Sequence, residues 1–158
     1  MGHWRTYDHN LDDKCVKDIC YNCGSKSLKA TYPFFRRAIY YGKYWCEIYD
    51  TQAFYFATVA RNHIRLIGIA VKDDCKGHGI GKATLYRLLQ RMAEVGIDTL
   101  TFRTSMHEDA QHFWLKQGAK IMDVKGDDYE MQLKIKLKLW HTTRVHDGQT
   151  RLQTAQCR

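Results

Sequence analysis

The sequence predicts a mixed α+β fold, in which a central, twisted and mostly antiparallel sheet of about six to seven strands is flanked by about four helices. Three strand-like segments follow one another between residues 44 and 72, and a glycine-rich loop at residues 76–81 joins the last of them to the most regular helical pattern. Consecutive strands are typical of antiparallel sheets, and helices that follow them add a layer. A chain of 158 residues has the size of one domain. We expect it to cover residues 1–140, with residues 141–158 forming a basic polar tail.

The N-terminal region predicts one strand and two helices. Residues 3–8 form the predicted strand, and Asn10 or Asp12 is placed to cap a helix that ends before Gly24. A second helical pattern covers residues 25–41.

Residues 44–72 predict three consecutive strands. Tyr44–Tyr49 and Ala53–Ala60 are rich in aromatic and β-branched residues, and residues 50–52 between them suit a hairpin turn. Ile64–Lys72 continues as a third strand. The expected framework is therefore three antiparallel strands that lead into the glycine-rich loop.

Helix and strand patterns alternate after this loop. Lys82–Val95 repeats leucines at helical spacing and is closed by Gly96, and Thr99–Thr104 returns as a strand. Ser105, with Glu108 three residues later, is the capping-box pattern of the next helix.

Two final strands are predicted at Ala119–Val124 and Tyr129–Trp140, around a turn at residues 125–128. Leucine and isoleucine alternate with lysine along the second, which indicates one buried and one solvated face.

The formal net charge of +8 favours anionic partners in general. No apolar run is long enough to cross a bilayer, and the N-terminus has charge where a signal peptide has its apolar stretch, so a cytoplasmic location without membrane contact is expected. A monomer and a homodimer are both compatible with the sequence.

The spacing of Cys15, Cys20 and Cys23 resembles half of a zinc site. A structural zinc ion needs four ligands, and no second cysteine pair follows at suitable spacing. We therefore expect no metal and interpret these cysteines as small apolar residues of a helix and its end.

The loop Lys76-Gly77-His78-Gly79-Ile80-Gly81, the glycine loop, carries the clearest functional signal. Glycines let backbone N–H groups approach an anion, and the N-terminus of the helix beginning near Lys82 adds partial positive charge. The loop lacks the ending of a P-loop and follows an antiparallel region, so a nucleoside triphosphate or a dinucleotide is disfavoured. The alternative is a glycine turn without a ligand.

These features resemble the GNAT superfamily of N-acetyltransferases over roughly residues 44–135. The family loop reads Gln/Arg-x-x-Gly-x-Gly/Ala after a strand with a small and apolar end, and this chain has Ile69-Ala70-Val71 and then the glycine loop. A second family pattern, Asn-x-x-Ala-x-x-x-Tyr-x-Lys-x-Gly-Phe, is answered by His107, Ala110, Trp114, Lys116, Gly118 and Ala119. Two motifs in the right order make the match specific.

The resemblance implies an N-acetyltransferase that uses acetyl-CoA as co-substrate. It implies that loop N–H groups hold the CoA pyrophosphate and that the pantetheine arm pairs along the strand end, where the Val71 N–H polarises the thioester carbonyl. The implied cofactor-binding residues are Ile69, Ala70, Val71, Lys76, Gly77, His78, Gly79, Ile80, Gly81, Lys82, Ser105 and Trp114. The amine attacks directly, without an acyl-enzyme, so Cys75 is expected to be a packing residue.

The chain departs from the family pattern at the usual base and acid. The position of the family's Glu is occupied by Ile67, and alternation puts His63 on the same face, so His63 is the candidate base. A surface histidine in a turn is the alternative. The position of the family's Tyr acid is occupied by Trp114, so water, His107 or Tyr129 would have to assist the leaving thiolate.

The leading hypothesis is transfer of an acetyl group from acetyl-CoA to a small amine or a protein amino group in a ternary complex. A tRNA-directed acetyltransferase fits the basic charge. A catalytically weak acyl-CoA-binding or regulatory module fits the missing Glu and Tyr. A nucleic-acid-binding domain has no stacking motif or recognition helix in its support.

Overall fold

The structure is a computed structural model that describes residues 2–41, 44–106 and 109–142. Its strands are β1 (Trp4–Thr6), β2 (Tyr44–Tyr49), β3 (Ala53–Val59), β4 (Ile64–Val71), β5 (Thr99–Ser105), β6 (Lys120–Lys125) and β7 (Asp128–Lys134). Its helices are α1 (His9–Tyr21), α2 (Lys26–Tyr41), α3 (Ile80–Glu94), α4 (Ala110–Lys116) and α5 (Leu137–Thr142), and a short 3-10 turn covers Asp73–Cys75.

The seven strands form one sheet in the order β1-β2-β3-β4-β5-β7-β6. The pairs β1/β2, β2/β3, β5/β7 and β6/β7 are antiparallel. Strands β4 and β5 are parallel, and their ladder pairs Ile64 with Leu100 and Arg65 with Thr101. The predicted mixed α+β fold with a mostly antiparallel sheet is therefore confirmed, with five α-helices in the described chain where about four were expected.

Two compact units are distinguished, one drawn from Met1–Val59 and Leu66–Leu88 and the other from Ala60–Arg65 and Leu89–Arg158. The expected single domain over residues 1–140 stays a prediction. The expected tail lies outside the described residues from residue 143 onward. None of the described helices has the length and apolar character needed to cross a membrane.

The first unit is organised around aromatic side chains between the two N-terminal helices and the sheet. Phe35 of α2 packs edge-on against Phe56 of β3, with ring centroids 4.7 Å apart, and against Tyr7 at 5.2 Å. Val16 and Ile19 of α1 are fully buried in the same cluster. The apolar faces of α1 and α2 thus cover one face of β2 and β3.

The second unit is organised around the antiparallel pair β5 and β7. Their register runs from Thr99 opposite Lys134 to Ser105 opposite Asp128. Phe102 of β5 lies beneath Trp114 of α4, with ring centroids 4.0 Å apart.

The predicted N-terminal caps of α1 and α4 are wrong. Helix α1 is capped by Asp8, whose carboxylate accepts the Asn10 N–H at 2.8 Å. Asp12 is instead completely buried and ion-paired with Arg5. Ser105 is the last residue of β5, and α4 begins only at Ala110, so the capping-box interpretation also fails.

The predicted strand Tyr129–Trp140 is too long. Strand β7 ends at Lys134, and the Leu139 N–H donates to the Lys136 carbonyl at 3.0 Å within a helical turn. The physical reason is the length of the neighbouring strand: β5 starts at Thr99, the partner of Lys134, so later residues have no β5 ladder to join.

Candidate functional site

The glycine loop connects β4 to α3, as predicted. Gly77 and Gly79 have φ of 83° and 76°, in the left-handed region that L side chains rarely adopt. A Cβ built on either glycine meets no heavy atom within 4 Å. Glycine is therefore required at these positions for backbone conformation, while the space beside the loop is open.

The N-terminus of α3 adds outward-facing donors to this loop. The helix begins at Ile80, and its first helical hydrogen bond runs from the Ala83 N–H to the Gly79 carbonyl at 3.0 Å. The N–H groups of Ile80, Gly81 and Lys82 precede that bond, so they have no acceptor within the helix. A helix N-terminus of this kind attracts anions through its N–H groups and its dipole.

The side chains of the loop differ in their surroundings. His78 and Lys82 are exposed, and the Lys82 ammonium lies 5.4 Å from the centre of the Tyr86 ring. The Lys76 ammonium is 2.6 Å from the Cys23 carbonyl oxygen and 2.7 Å from the Asp73 carboxylate. The Asp73 carboxylate thus balances the charge of Lys76, whereas the Lys82 ammonium faces the Tyr86 ring and solvent.

Strand β4 brings its apolar end beneath this helix N-terminus. A Cβ on Gly81 would lie 3.7 Å from a methyl group of Val71. Ala70 is buried in the aromatic cluster, and the half-buried Ile67 packs against the same cluster. Buried and half-buried residues alternate along β4 from Ile64 to Val71, and Ile69 is half-buried.

The face of β4 that carries Gly68 and Ala70 lies against α2. A Cβ on Gly68 would approach a methyl group of Leu28 to 2.6 Å, so a side chain there would displace Leu28. In the β4/β5 ladder only Ile64 and Arg65 are paired, so the backbone groups of Ile69–Val71 take no part in it. On the side away from β3, backbone groups in such a position can pair with an extended ligand.

The predicted base lies far from this strand end. His63 precedes β4, its Nδ1 is 3.1 Å from the Asn62 side-chain oxygen, and its carbonyl accepts the Ala60 N–H in a turn. Val71 ends the strand eight residues later, a rise of roughly 26 Å at the usual 3.3 Å per residue. Direct proton transfer needs hydrogen-bond reach or one bridging water, and the role of His63 as base stays a prediction.

The remaining predicted site residues belong to the second unit. Trp114 is 4% exposed and is held between Phe102 and Phe113. Ser105 is half-buried opposite Asp128. Tyr129 is half-buried in β7, and His107 lies outside the described residues.

Cys75, beside the glycine loop, has the properties of a non-nucleophilic thiol. Desolvation raises its pKa, and the neighbouring Asp74 carboxylate, 3.3 Å from the sulfur, raises it further. A thiol reacts as its thiolate, so a raised pKa disfavours an acyl-enzyme. In α1, burial raises the pKa of the Cys20 thiol to about 12.

Sequence alone missed a buried carboxylate in β2. Glu47 is 6% exposed, accepts hydrogen bonds from the Tyr55 hydroxyl and the Arg87 guanidinium, and forms an ion pair with Arg87 at 2.9 Å. It thereby ties β2 to α3, the helix that carries the loop. The available signal was a single acidic residue inside an otherwise uncharged strand.

The family model described as "Acetyltransferase (GNAT) family" matches residues 38–119, more than half of the chain. This chain belongs to the GNAT acetyltransferase family. The predicted family and enzyme class are confirmed, and acetyl-CoA is the co-substrate of that family. No curated protein sequence matches significantly.

Solved structures of other GNAT proteins share the fold. The PaiA N-acetyltransferase from Thermoplasma acidophilum, in complex with coenzyme A, has TM-score 0.71 and 16% identity, over 85% of this chain and 99% of that one. The ribosomal-protein-S18-alanine N-acetyltransferase from Escherichia coli has TM-score 0.65 and 18% identity, over 84% and 90%. YncA from Salmonella typhimurium, with its cofactor acetyl-CoA, has TM-score 0.63 and 15% identity, over 85% and 94%.

Proposed function

We propose that this GNAT chain is an N-acetyltransferase that moves the acetyl group of acetyl-CoA directly to an amine, in a ternary complex. The observation that carries the proposal is the pair of left-handed glycines at the N-terminus of α3, which leaves backbone donors exposed beside open space. Acceptors of suitable chemistry are small amines and protein amino groups. We further propose a cytoplasmic location, in keeping with the free cysteines of the described chain.

In this proposal the pyrophosphate of acetyl-CoA is held by backbone donors. The N–H groups of Gly77, His78, Gly79, Gly81 and Lys82 supply these donors, and the α3 dipole adds to them. Backbone donors suit this role because they do not titrate and cost little reorganisation. The exposed Lys82 ammonium is the one cation of residues 76–82 whose charge no described carboxylate balances.

The proposed chemistry takes place at the end of β4. The pantetheine arm pairs with the backbone of Ile69–Val71, and the Val71 N–H donates to the thioester carbonyl oxygen. The neutral amine attacks the carbonyl carbon, the carbonyl oxygen gains negative charge near the Val71 N–H, and collapse breaks the C–S bond. The amine proton is lost to solvent, and the thiolate leaves with the electron pair and is then protonated.

The proton transfers in this proposal involve solvent. Ile67 and buried Trp114 occupy the positions of the family's usual base and acid and cannot exchange protons, and His63 is separated from Val71 by the length of β4. The acceptor must then arrive as its free base. Turnover should rise with pH in step with the acceptor's own ionisation.

A second candidate function follows from the same two positions. A GNAT-fold module that binds acyl-CoA and turns it over poorly, with a regulatory role, fits the apolar Ile67 and the buried Trp114. Both functions need the glycine loop, so acetyl-CoA binding does not separate them.

Two measurements test these proposals. Isothermal titration with acetyl-CoA tests the site, and absence of heat under conditions where the chain is folded would reject both functions. Thiol release from acetyl-CoA, followed across a panel of small amines and amino-terminal peptides, then separates them. Amine-dependent release supports the enzyme, and binding without amine-dependent release favours the module.

A further inference from the structure

We infer that Lys76 and Asp73 act as positioning residues that fix the start of the glycine loop, and that Lys76 is not a phosphate ligand. The inference rests on the proposed function, since it concerns how the same loop holds acetyl-CoA. It corrects the role that the motif alone assigns to Lys76.

The evidence is a set of contacts between the loop and the end of α1. The Asp73 N–H donates to the Asn22 carbonyl at 2.8 Å, and the Lys76 ammonium donates to the Cys23 carbonyl at 2.6 Å and to Asp73 at 2.7 Å. We call these contacts the anchor. It ends one residue before Gly77, where the left-handed segment starts.

Gly24 shows how closely the anchor is packed. Its φ is +73°, and a Cβ there would lie 3.2 Å from an Asp73 carboxylate oxygen and 3.3 Å from the Lys76 ammonium. The corner after α1 therefore favours glycine for its backbone conformation, and a side chain there would press on both charged groups of the anchor. A neighbouring ion pair, Lys72 with Asp18 at 2.5 Å, joins the same two segments.

Charge also argues against a phosphate contact by Lys76. Asp73, Asp74 and Lys76 together carry a net charge of −1, from two carboxylates and one ammonium. A phosphate approaching Lys76 would have to compete with the Asp73 carboxylate and would be repelled by Asp74. The donors of residues 77–82 offer an anion site without that competition.

The two roles of Lys76 predict opposite results for Asp73→Asn. If Lys76 positions the loop, Lys76→Met and Asp73→Asn both weaken the anchor, and each weakens acetyl-CoA binding by about three- to tenfold, the upper value being about 1.4 kcal/mol. If Lys76 binds phosphate, Lys76→Met weakens binding, but Asp73→Asn frees the cation and leaves affinity unchanged or improved. Isothermal titration of the full chain with acetyl-CoA measures the dissociation constants.

Two controls make the result specific. Asp74→Asn removes the same charge one residue away, outside the anchor, and should not weaken binding. Lys76→Arg keeps a cation able to donate to the same oxygens, and should bind within about twofold of the unaltered chain. Thermal unfolding without ligand shows that each variant is folded, and the double variant of Asp73 and Lys76 should bind no more weakly than the weaker single one.

Failure of the inference and failure of the proposed function are distinguishable. Unchanged or tighter binding in Asp73→Asn, or equal weakening in Asp74→Asn, overturns the inference while the unaltered chain still binds acetyl-CoA. No binding by the unaltered chain overturns the proposed function and the inference with it.

Discussion

Replacing Gly79 by alanine tests the glycine loop most directly. Gly79 has φ of 76° and an added Cβ meets nothing within 4 Å, so the substitution introduces backbone strain without a steric clash. An L residue held in the left-handed region costs about 1–2 kcal/mol. Because the loop is exposed at Gly79, we expect the free loop to relax, so that the strain opposes the bound conformation.

The expected loss of affinity follows from that strain. Since about 1.4 kcal/mol corresponds to a tenfold change, 1–2 kcal/mol weakens acetyl-CoA binding by about five- to thirtyfold. At 100 times its dissociation constant acetyl-CoA should stabilise the unaltered chain by about 2.7 kcal/mol, or roughly 5–11 °C in Tm. Gly79→Ala should lose about one third to two thirds of this shift at the same acetyl-CoA concentration.

Gly96→Ala is the matched control. Gly96 has φ of 74° and open space around it, as Gly79 has, but it follows the C-terminal end of α3, where the Ile97 N–H donates to the Met92 carbonyl at 3.0 Å. Its strain should appear as lost stability, a fall of about 2–8 °C in Tm, with acetyl-CoA affinity unchanged. The reasoning is refuted if Gly79→Ala binds acetyl-CoA within twofold of the unaltered chain while Gly96→Ala shows this loss of stability.

Three further predictions concern single side chains. His63→Ala should keep kcat within about twofold across neutral pH, because about 26 Å of strand separates it from the proposed thioester position, and a pH–rate profile checks this. Glu47→Ala removes the buried carboxylate to which Arg87 donates, and calorimetry should show about 2–3 kcal/mol of lost stability, roughly 4–12 °C. Burial opposes ionisation of Asp12, but hydrogen bonds from Arg5 and a backbone N–H outweigh it and lower its pKa below the ordinary 3.8. Its stabilising contribution is therefore complete above that value and is lost as pH falls through the lowered pKa, so the Tm difference between the unaltered chain and Asp12→Asn should narrow in acid.

Each of these has a clear contrary outcome. A large loss of kcat in His63→Ala at and above neutral pH, where an imidazole base is deprotonated, would restore its role as base. An unchanged Tm in Glu47→Ala would mean that the ion pair between Glu47 and Arg87 makes no net contribution to stability, which is known for some buried ion pairs. A Tm difference for Asp12→Asn that stays constant down to strongly acidic pH would contradict the direction of its pKa shift.

Local patterns in the sequence predicted the parts of the fold that depend on local physics. Strand β2 has the predicted limits Tyr44–Tyr49, since dense aromatic and β-branched residues favour extended backbone wherever they pair. The left-handed glycines at 77, 79 and 96 stand where the loop and the helix end were predicted. These features depend on residues that are close in the sequence.

The failures are those that depend on distant partners. Leucine and lysine alternate up to Leu139, but a strand persists only where a neighbour pairs with it, and β7 ends opposite the start of β5. Lys76 fits a cofactor motif, but the motif does not encode its contact with the carbonyl oxygen of Cys23, 53 positions away. The buried ion pair between Glu47 and Arg87 joins residues 40 positions apart and has no local pattern.

The same distinction separates the glycine loop from the acid and the base. Anion binding by the loop uses backbone groups, so it depends on local conformation at Gly77 and Gly79, which the sequence encodes directly. Proton transfer uses side chains that must converge from separate elements, and a face shared along β4 does not bring His63 near Val71. Backbone donors also do not titrate at physiological pH. Acetyl-CoA affinity should therefore stay nearly constant between about pH 6.5 and 9, while turnover rises with the free-base fraction of the amine. The pKa seen in the turnover profile should change with the acceptor. A pKa that stays the same for every acceptor would indicate a side-chain base.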